Sequence, residues 1–176
     1  ELLFENRIAE PDEGYLNSGN VFLDRMFDAA IEHHPAGADM NAAMAERAQV
    51  LEAEGRRCYI IPGGGSNPTG ALGYVNCALE LVNQANDMQL RVDRVVHATG
   101  SAGTQAGLVA GLEAMHAGIP VLGIGVNAPR DVQEQRVFDL ACATAALSGA
   151  AGCVAREDVV SDCDDIGAGC GGPHPT

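Results

Sequence analysis

Two short stretches hold the residue types that could do chemistry. The first is "TGSAGTQAG", residues 99–107. It follows an apolar run and opens a helical pattern. Gly100, Ser101, Ala102, Gly103 and Thr104 are all small, so backbone N–H groups there can approach an oxyanion closely. Ser101 and Thr104 add hydroxyl donors. A helix N-terminus brings unpaired N–H groups and a partial positive charge to the same place. One reading is an anion cradle for a phosphate or carboxylate. The other is a tight strand-to-helix packing turn with no ligand. No lysine follows the glycines, which excludes a Walker-type loop. The glycine spacing is GxxGxxxG, and the next strand runs to Asn127 rather than to an acidic residue, so a dinucleotide is disfavoured.

The second stretch is "GGGSNPTG", residues 63–70. Its three glycines permit left-handed backbone. Asn67, before Pro68, is pushed toward an extended shape. Ser66, Asn67 and Thr69 are candidate ligands of a polar substrate group, with Ser66 and Asn67 the residues of choice. Spacing alone slightly favours a plain connection between two sheets. His97, just before the first loop, reads as a core histidine bonded to backbone. His33 and His34 read as surface residues. His116 and His174 have no partners by spacing, and no Ser/His/Asp set can be assembled.

The elements that must position these loops alternate between strand and helix. "LLF" reads as a short buried strand and "AEPDEGYLNSGN" as a turn-rich loop. "VFLDRMFDAA" reads as a helix and "AIEHH" as a strand. A helix from Asp39 carries Met40, Met44, Ala48 and Leu51 and ends at Gly55. "RCYIIP" reads as a strand. The next helix places Leu72, Val75, Leu79 and Val82 on one face. "RVVHA" is a strand, and the helix after the first loop shows Leu108, Leu112 and Met115. "PVLGIGV" is a strand, residues 131–148 a helix with Val137, Leu140, Thr144 and Leu147, and "EDVV" begins a further strand. The glycine-rich tail has no packing pattern. Such alternation implies an α/β fold with parallel sheets, divided near Pro62. Both ends look cut, which suggests a piece of a longer chain.

Composition narrows the function classes. Hydrophobic residues make up 47 % of the 176 residues and aromatics only 4 %, which suits helices packed closely on parallel strands. The formal charge is −14 with no basic run, so no nucleic-acid partner is expected. All ten basic residues are arginine; there is no lysine. The six cysteines form no CxxC pair and no metal spacing, which fits reduced thiols in a cytoplasmic protein. No apolar run approaches the roughly 20 residues of a membrane helix.

Taken together, "YIIPGGGSNPTGALGYVNCALEL" and "VVHATGSAGTQAGL" resemble the D-cysteine desulfhydrase and 1-aminocyclopropane-1-carboxylate (ACC) deaminase family. The order of elements from "LLFENR" through "GYLNSGN" is similar too. The resemblance implies pyridoxal 5′-phosphate as cofactor and three-layer parallel sheets of the tryptophan-synthase β-subunit type, incomplete at both ends. Residues 1–61 would be part of the small domain and 62–176 part of the large one. Gly100 to Thr104 match the family's phosphate-binding loop. Details such as "PAGADMNAAM" and "LACATA" resemble L-cysteate sulfo-lyases most. The implied reaction is a β-elimination on a small amino acid. The Cα proton is removed, the cofactor takes up the electron pair, and sulfite leaves from cysteate or sulfide from D-cysteine. Pyruvate and ammonia follow by hydrolysis. A homo-oligomer, a dimer in the first instance, is also implied.

The sequence departs from that pattern at its chemical centre. The family's Schiff-base lysine lies in an upstream GGNK-type segment, and this chain has no lysine. The upstream Ser-Asn-His segment, the downstream tyrosine and the HTGG-type strand are also absent. The chain alone is therefore expected to be inactive, with the lysine encoded upstream of Glu1 in the parent reading frame. Two other readings remain: a non-catalytic, Rossmann-like nucleotide-binding module, and a fragment that pairs with a second subunit.

Overall fold

The structure, a computed structural model, describes residues 1–6 and 13–166. It divides into two compact units, Glu1–Ile61 and Pro62–Thr176.

In the first unit, β1 (Leu2–Glu5) pairs in parallel with β2 (Ile31–His34), with Leu2 opposite Ile31 and Glu5 opposite His34. Between them run α1 (Glu13–Asn17) and α2 (Gly19–Met26). Part of the stretch expected to be a turn-rich loop is therefore helical. The Ser18 N–H closes a helical turn on the Gly14 carbonyl at 3.0 Å, and the Asn17 amide donates to the Glu13 carbonyl at 3.0 Å. The rest of that stretch lies outside the described residues. The third helix, α3 (Met40–Ala53), starts on Asp39, whose carboxylate accepts from the Ala42 N–H at 3.0 Å. It stops at Gly55, which takes φ +84°, a conformation open to glycine. Arg47 on α3 donates to the Glu1 carboxylate at 2.7 Å and ties the helix to the start of β1.

The strand expected at "RCYIIP" is not formed. A strand needs a neighbour for its N–H and C=O groups, and the sheet of this unit consists of β1 and β2. Tyr59 and Ile61 stand 71 % and 69 % exposed.

The second unit has a three-stranded parallel sheet in the order β3 (Val95–Thr99), β4 (Val121–Gly125), β5 (Val160–Asp162). Val95 pairs with Val121 and Leu122 with Val160. The crossovers are α5 (Gly103–Ala114) and α6 (Arg130–Leu147), while α4 (Pro68–Asp87) packs on α5. This is the α/β arrangement that the strand–helix alternation requires.

The core gathers around α5, where nine of twelve residues are buried. A helix apolar on all sides belongs at the centre of its layer. Leu112, Val109, Val121, Val137, Ala141, Ala145 and Val159 fill the space around it. Gly103, Gly107 and Gly111 recur every fourth residue and form a bare stripe. A Cβ at Gly107 would collide with the Ala71 carbonyl and stand 2.5 Å from the Tyr74 Cβ; one at Gly111 would stand 2.8 Å from the Ala78 Cβ. The two helix backbones thus meet almost directly.

That close approach changes which residues face inward. Ala71 and Ala78 are the buried residues of α4, with Val75 and Val82 packed beside the core, while Leu79 is 45 % exposed. On α6, Ala141 and Ala145 are fully buried and Leu147 is turned out. The stripe faces α4, where small residues fit against it and the leucine expected inward, Leu79, is displaced. The sheet shows a similar asymmetry. Thr99, Val121 and Ser161 are buried, whereas Val96 and Val160 on the other face are exposed.

Candidate functional site

The α4–α5 contact brings the two glycine-rich loops together. Residues 63–67 lead into α4 and residues 100–102 lead into α5. Gly63–Gly65 form one 3-10 turn, and Gly64 and Gly65 take φ +68° and +62°. A Cβ on Gly64 would collide with the Ser101 hydroxyl, and one on Gly103 would stand 2.8 Å from Ser66 Oγ. Glycine is required at both places because the loops touch there.

Ser66 is the joint. Its Oγ accepts from the Gly103 N–H at 3.1 Å and donates to Ser101 Oγ at 2.8 Å. Asn67 sits beside it and is the N-cap of α4: its side-chain oxygen accepts from the Gly70 N–H at 2.7 Å. Pro68 follows at the first helical position, which suits its missing N–H. Thr69 is exposed on the first turn.

On the other loop, Gly100 ends β3 against Val126, with room for a Cβ only at 3.0 Å from the Val126 side chain. Asn127 lies next to it, its Nδ2 at 3.6 Å from the same point. Ser101 is exposed and Thr104 half-buried. Ala102 is the N-cap of α5, buried, with φ +78° and no side-chain cap. An alanine in this left-handed region costs roughly 1–2 kcal/mol. Ala106 is the first residue whose N–H bonds back into the helix, to the Ala102 carbonyl at 2.9 Å. The N–H groups of Thr104 and Gln105 thus precede the first helical bond, as the opening donors of any helix do. No acidic residue occupies this first turn.

A buried polar frame behind the loops was not anticipated from the sequence. Gln105 donates to the Val160 carbonyl at 2.8 Å, and Ser161 Oγ lies 3.4 Å from its other end. Gln133 on α6 donates to Thr99 Oγ1 at 3.0 Å. Glu134 accepts from the Ser161 N–H at 3.0 Å and pairs with Arg156 at 3.1 Å. These bonds tie β3 and β5 to α5 and α6 behind the loop at residues 100–102. One signal was available: Gln105 is the large polar residue in the otherwise small and apolar first turns of α5.

His97 lies half-buried on β3, with its ring nitrogens shielded from solvent and the Ala98 backbone beside it. Burial lowers its pKa, outweighing an opposing influence of the Ala98 backbone. Burial also pushes the thiols of Cys142, Cys153 and Cys163 upward, and the described cysteines are free. A hollow of about 300 Å³ lined by Leu72, Val75, Leu79, Gly111 and Met115 includes none of the loop residues. Among the described residues, no cluster of His, Cys, Asp or Glu could hold a metal ion. No described helix is long and apolar enough to cross a membrane.

This geometry has relatives. D-cysteine desulfhydrase from Serratia proteamaculans (strain 568) is 43 % identical over 125 residues, covering 71 % of this chain and 38 % of that protein. The crystal structure of an ACC deaminase homologue superposes with a TM-score of 0.69 at 32 % identity, over 84 % of this chain and 43 % of that one. A hydrogen sulfide-producing enzyme from Fusobacterium nucleatum is 16 % identical with a TM-score of 0.49, over 72 % of this chain and 38 % of its own, a likeness too slight to carry an argument. The chain thus spans about two fifths of the length of its relatives. The pyridoxal-phosphate dependent enzyme family matches residues 11–165, and the chain belongs to that family, on its D-cysteine desulfhydrase and ACC deaminase branch.

Proposed function

We propose that the protein to which this chain belongs is a pyridoxal-phosphate-dependent carbon–sulfur lyase that eliminates sulfide from D-cysteine, giving pyruvate and ammonia. The observation that carries the reading is the convergence of the two loops at the head of α5, in a chain 43 % identical to a D-cysteine desulfhydrase over 125 residues. That likeness puts sulfide release ahead of sulfite release from L-cysteate, which stays as the second reading on the sequence motifs noted above. Family membership replaces the nucleotide-binding reading.

The donors present suit a phosphate monoester. The N–H groups of Thr104 and Gln105 and the hydroxyls of Ser101 and Thr104 gather at a helix start flanked by Gly100 and Gly103. Gly100, Ser101, Ala102, Gly103 and Thr104 form the wall of this cradle. Ser66 shapes it, and Asn67, whose Oδ1 caps α4, has its side-chain Nδ2 left to meet the substrate. When bound, the cofactor supplies an electron sink for the carbon that loses its proton. The residues of this chain grip its phosphate far from that carbon, which orients the reacting group through remote binding energy. The amine that holds the aldehyde lies outside these 176 residues, and the chain alone does not turn over. Glu1–Ile61 belongs to the small domain of the fold and Pro62–Thr176 to the large one, in a homodimer whose mass light scattering would measure.

One assay tests the substrate. Protein from the entire reading frame is given D-cysteine and L-cysteate in parallel, and sulfide, sulfite and pyruvate are quantified. Sulfide from D-cysteine is the expected result. Sulfite from L-cysteate alone would move the assignment to the second reading. Bound cofactor with neither product would sink the lyase assignment.

A further inference from the structure

We infer that Ser66 is a positioning residue that acts through Ser101, and that the hydrogen-bond line from the Gly103 N–H through Ser66 Oγ to Ser101 Oγ aims the Ser101 proton into the cradle. The inference rests on the phosphate reading above and deepens it.

The argument is one of hydrogen-bond direction. A backbone N–H only donates, so at 3.1 Å the Gly103 N–H fixes Ser66 Oγ as an acceptor. The Ser66 proton is then free to go to Ser101 Oγ, 2.8 Å away. Ser101 receives that proton, and its own must point elsewhere. Ser101 is exposed and stands two residues before the first residue of α5, and in the proposed line its proton goes to the space in front of that helix. Each link polarises the next, which makes the terminal hydroxyl a better donor to an acceptor-rich anion.

Packing holds the line in place. Ser66 Cα and Cβ would lie 3.3 and 3.4 Å from a Cβ at Gly103, so the loops are in contact there. On the opposite flank Gly64 leaves no room between itself and Ser101. Ser66 therefore cannot donate to a ligand itself without giving up its bond to Ser101. Its contribution is to consume one N–H of the helix start and to turn a neighbouring hydroxyl outward. The role differs from the substrate contact first expected of Ser66.

The test uses the 176-residue chain and 4′-deoxypyridoxine 5′-phosphate, which carries the phosphate but no aldehyde and so needs no lysine. Affinity is measured by calorimetry for the parent chain, Ser66→Ala, Ser101→Ala and the double variant, with ligand-free melting as a check on folding. About a tenfold loss is expected for each single variant, and no more than about a twofold further loss for the double, because both remove the same donor. The ³¹P resonance of the bound analogue should move in Ser66→Ala as far as in Ser101→Ala, although Ser66 does not touch it. Additive losses, or Ser66→Ala binding as tightly as the parent or tighter, would overturn the inference while leaving the phosphate site intact. If Ser66→Ala does not fold, an unchanged affinity and ³¹P shift in Ser101→Ala overturns it alone. No saturable binding by the parent chain overturns both this inference and the phosphate reading.

Discussion

The two units of the chain solve their packing problem differently. Residues from Pro62 onward wrap a core around α5, with Leu112, Val137 and Ala141 entirely sheltered. Within Glu1–Ile61 no described residue is fully buried, and Phe27 stands 80 % exposed. A two-stranded sheet with one long helix has few ways to shelter side chains. The unit with the core is also the one that holds both glycine-rich loops. A packed helix start such as that of α5 holds its N–H donors in fixed positions, which is what the proposed phosphate cradle requires.

The contrast can be broken at its strongest point. Gly107→Leu drives a side chain into the Ala71 carbonyl and Tyr74. We expect loss of cooperative melting in the second unit, at more than about 3 kcal/mol, followed by circular dichroism. A melting curve like that of the parent would show that α4 and α5 are not locked. Leu112→Ala leaves a cavity in the same core and should cost about 2–5 kcal/mol by urea denaturation. The helix caps come next. Asp39→Ala and Asn67→Ala each remove a bond to a first-turn N–H, at 3.0 and 2.7 Å, and each should cost about 1 kcal/mol. Only Asn67→Ala should also weaken binding of the phosphate analogue, because only that cap adjoins the cradle.

Smaller still is Ala102→Gly, which relieves the positive φ and should stabilise by about 0.5–1 kcal/mol in chemical melts. The smallest effect concerns pH. Burial lowers the His97 pKa below its ordinary 6.5. The unfolded chain therefore binds the proton more readily. Neutral His97 favours folding above about pH 6.5, and that contribution fades as pH falls through the lowered folded value. In His97→Gln the dependence of melting temperature on pH between 5 and 7 should be shallower than in the parent.

Much of the architecture was legible in the sequence. Apolar runs that stop at small residues marked β3 and β4, the stretch before Pro35 marked β2, and Asp39 and Gly55 bracketed α3. The division of faces was not. Spacing arguments weight large residues, so they put Leu79 and Leu147 inward. For Leu79 the glycine stripe on α5 reverses that preference, and its effect appears only when α4 is laid against it. The missing strand at residues 57–62 has a related cause: its apolar residues satisfy strand propensity, but pairing needs a partner that local sequence does not supply. Gly100 to Thr104 could be found because a strand, small residues and a helix follow one another along the chain. The Ser66–Ser101 bond could not, because it joins residues 35 positions apart through the packing of two helices.

The burial of α5 on every side has a consequence for hydrogen exchange. Amides in its middle turns can exchange with solvent only when the whole second unit opens, so they should be among the slowest in the protein. The N–H of Thr104, at the half-buried head of the same helix, has no helical carbonyl to shield it and should exchange early. Fast and slow exchange would then sit a few residues apart on one helix. An anion arriving at the head would slow the fast group without asking the core to move.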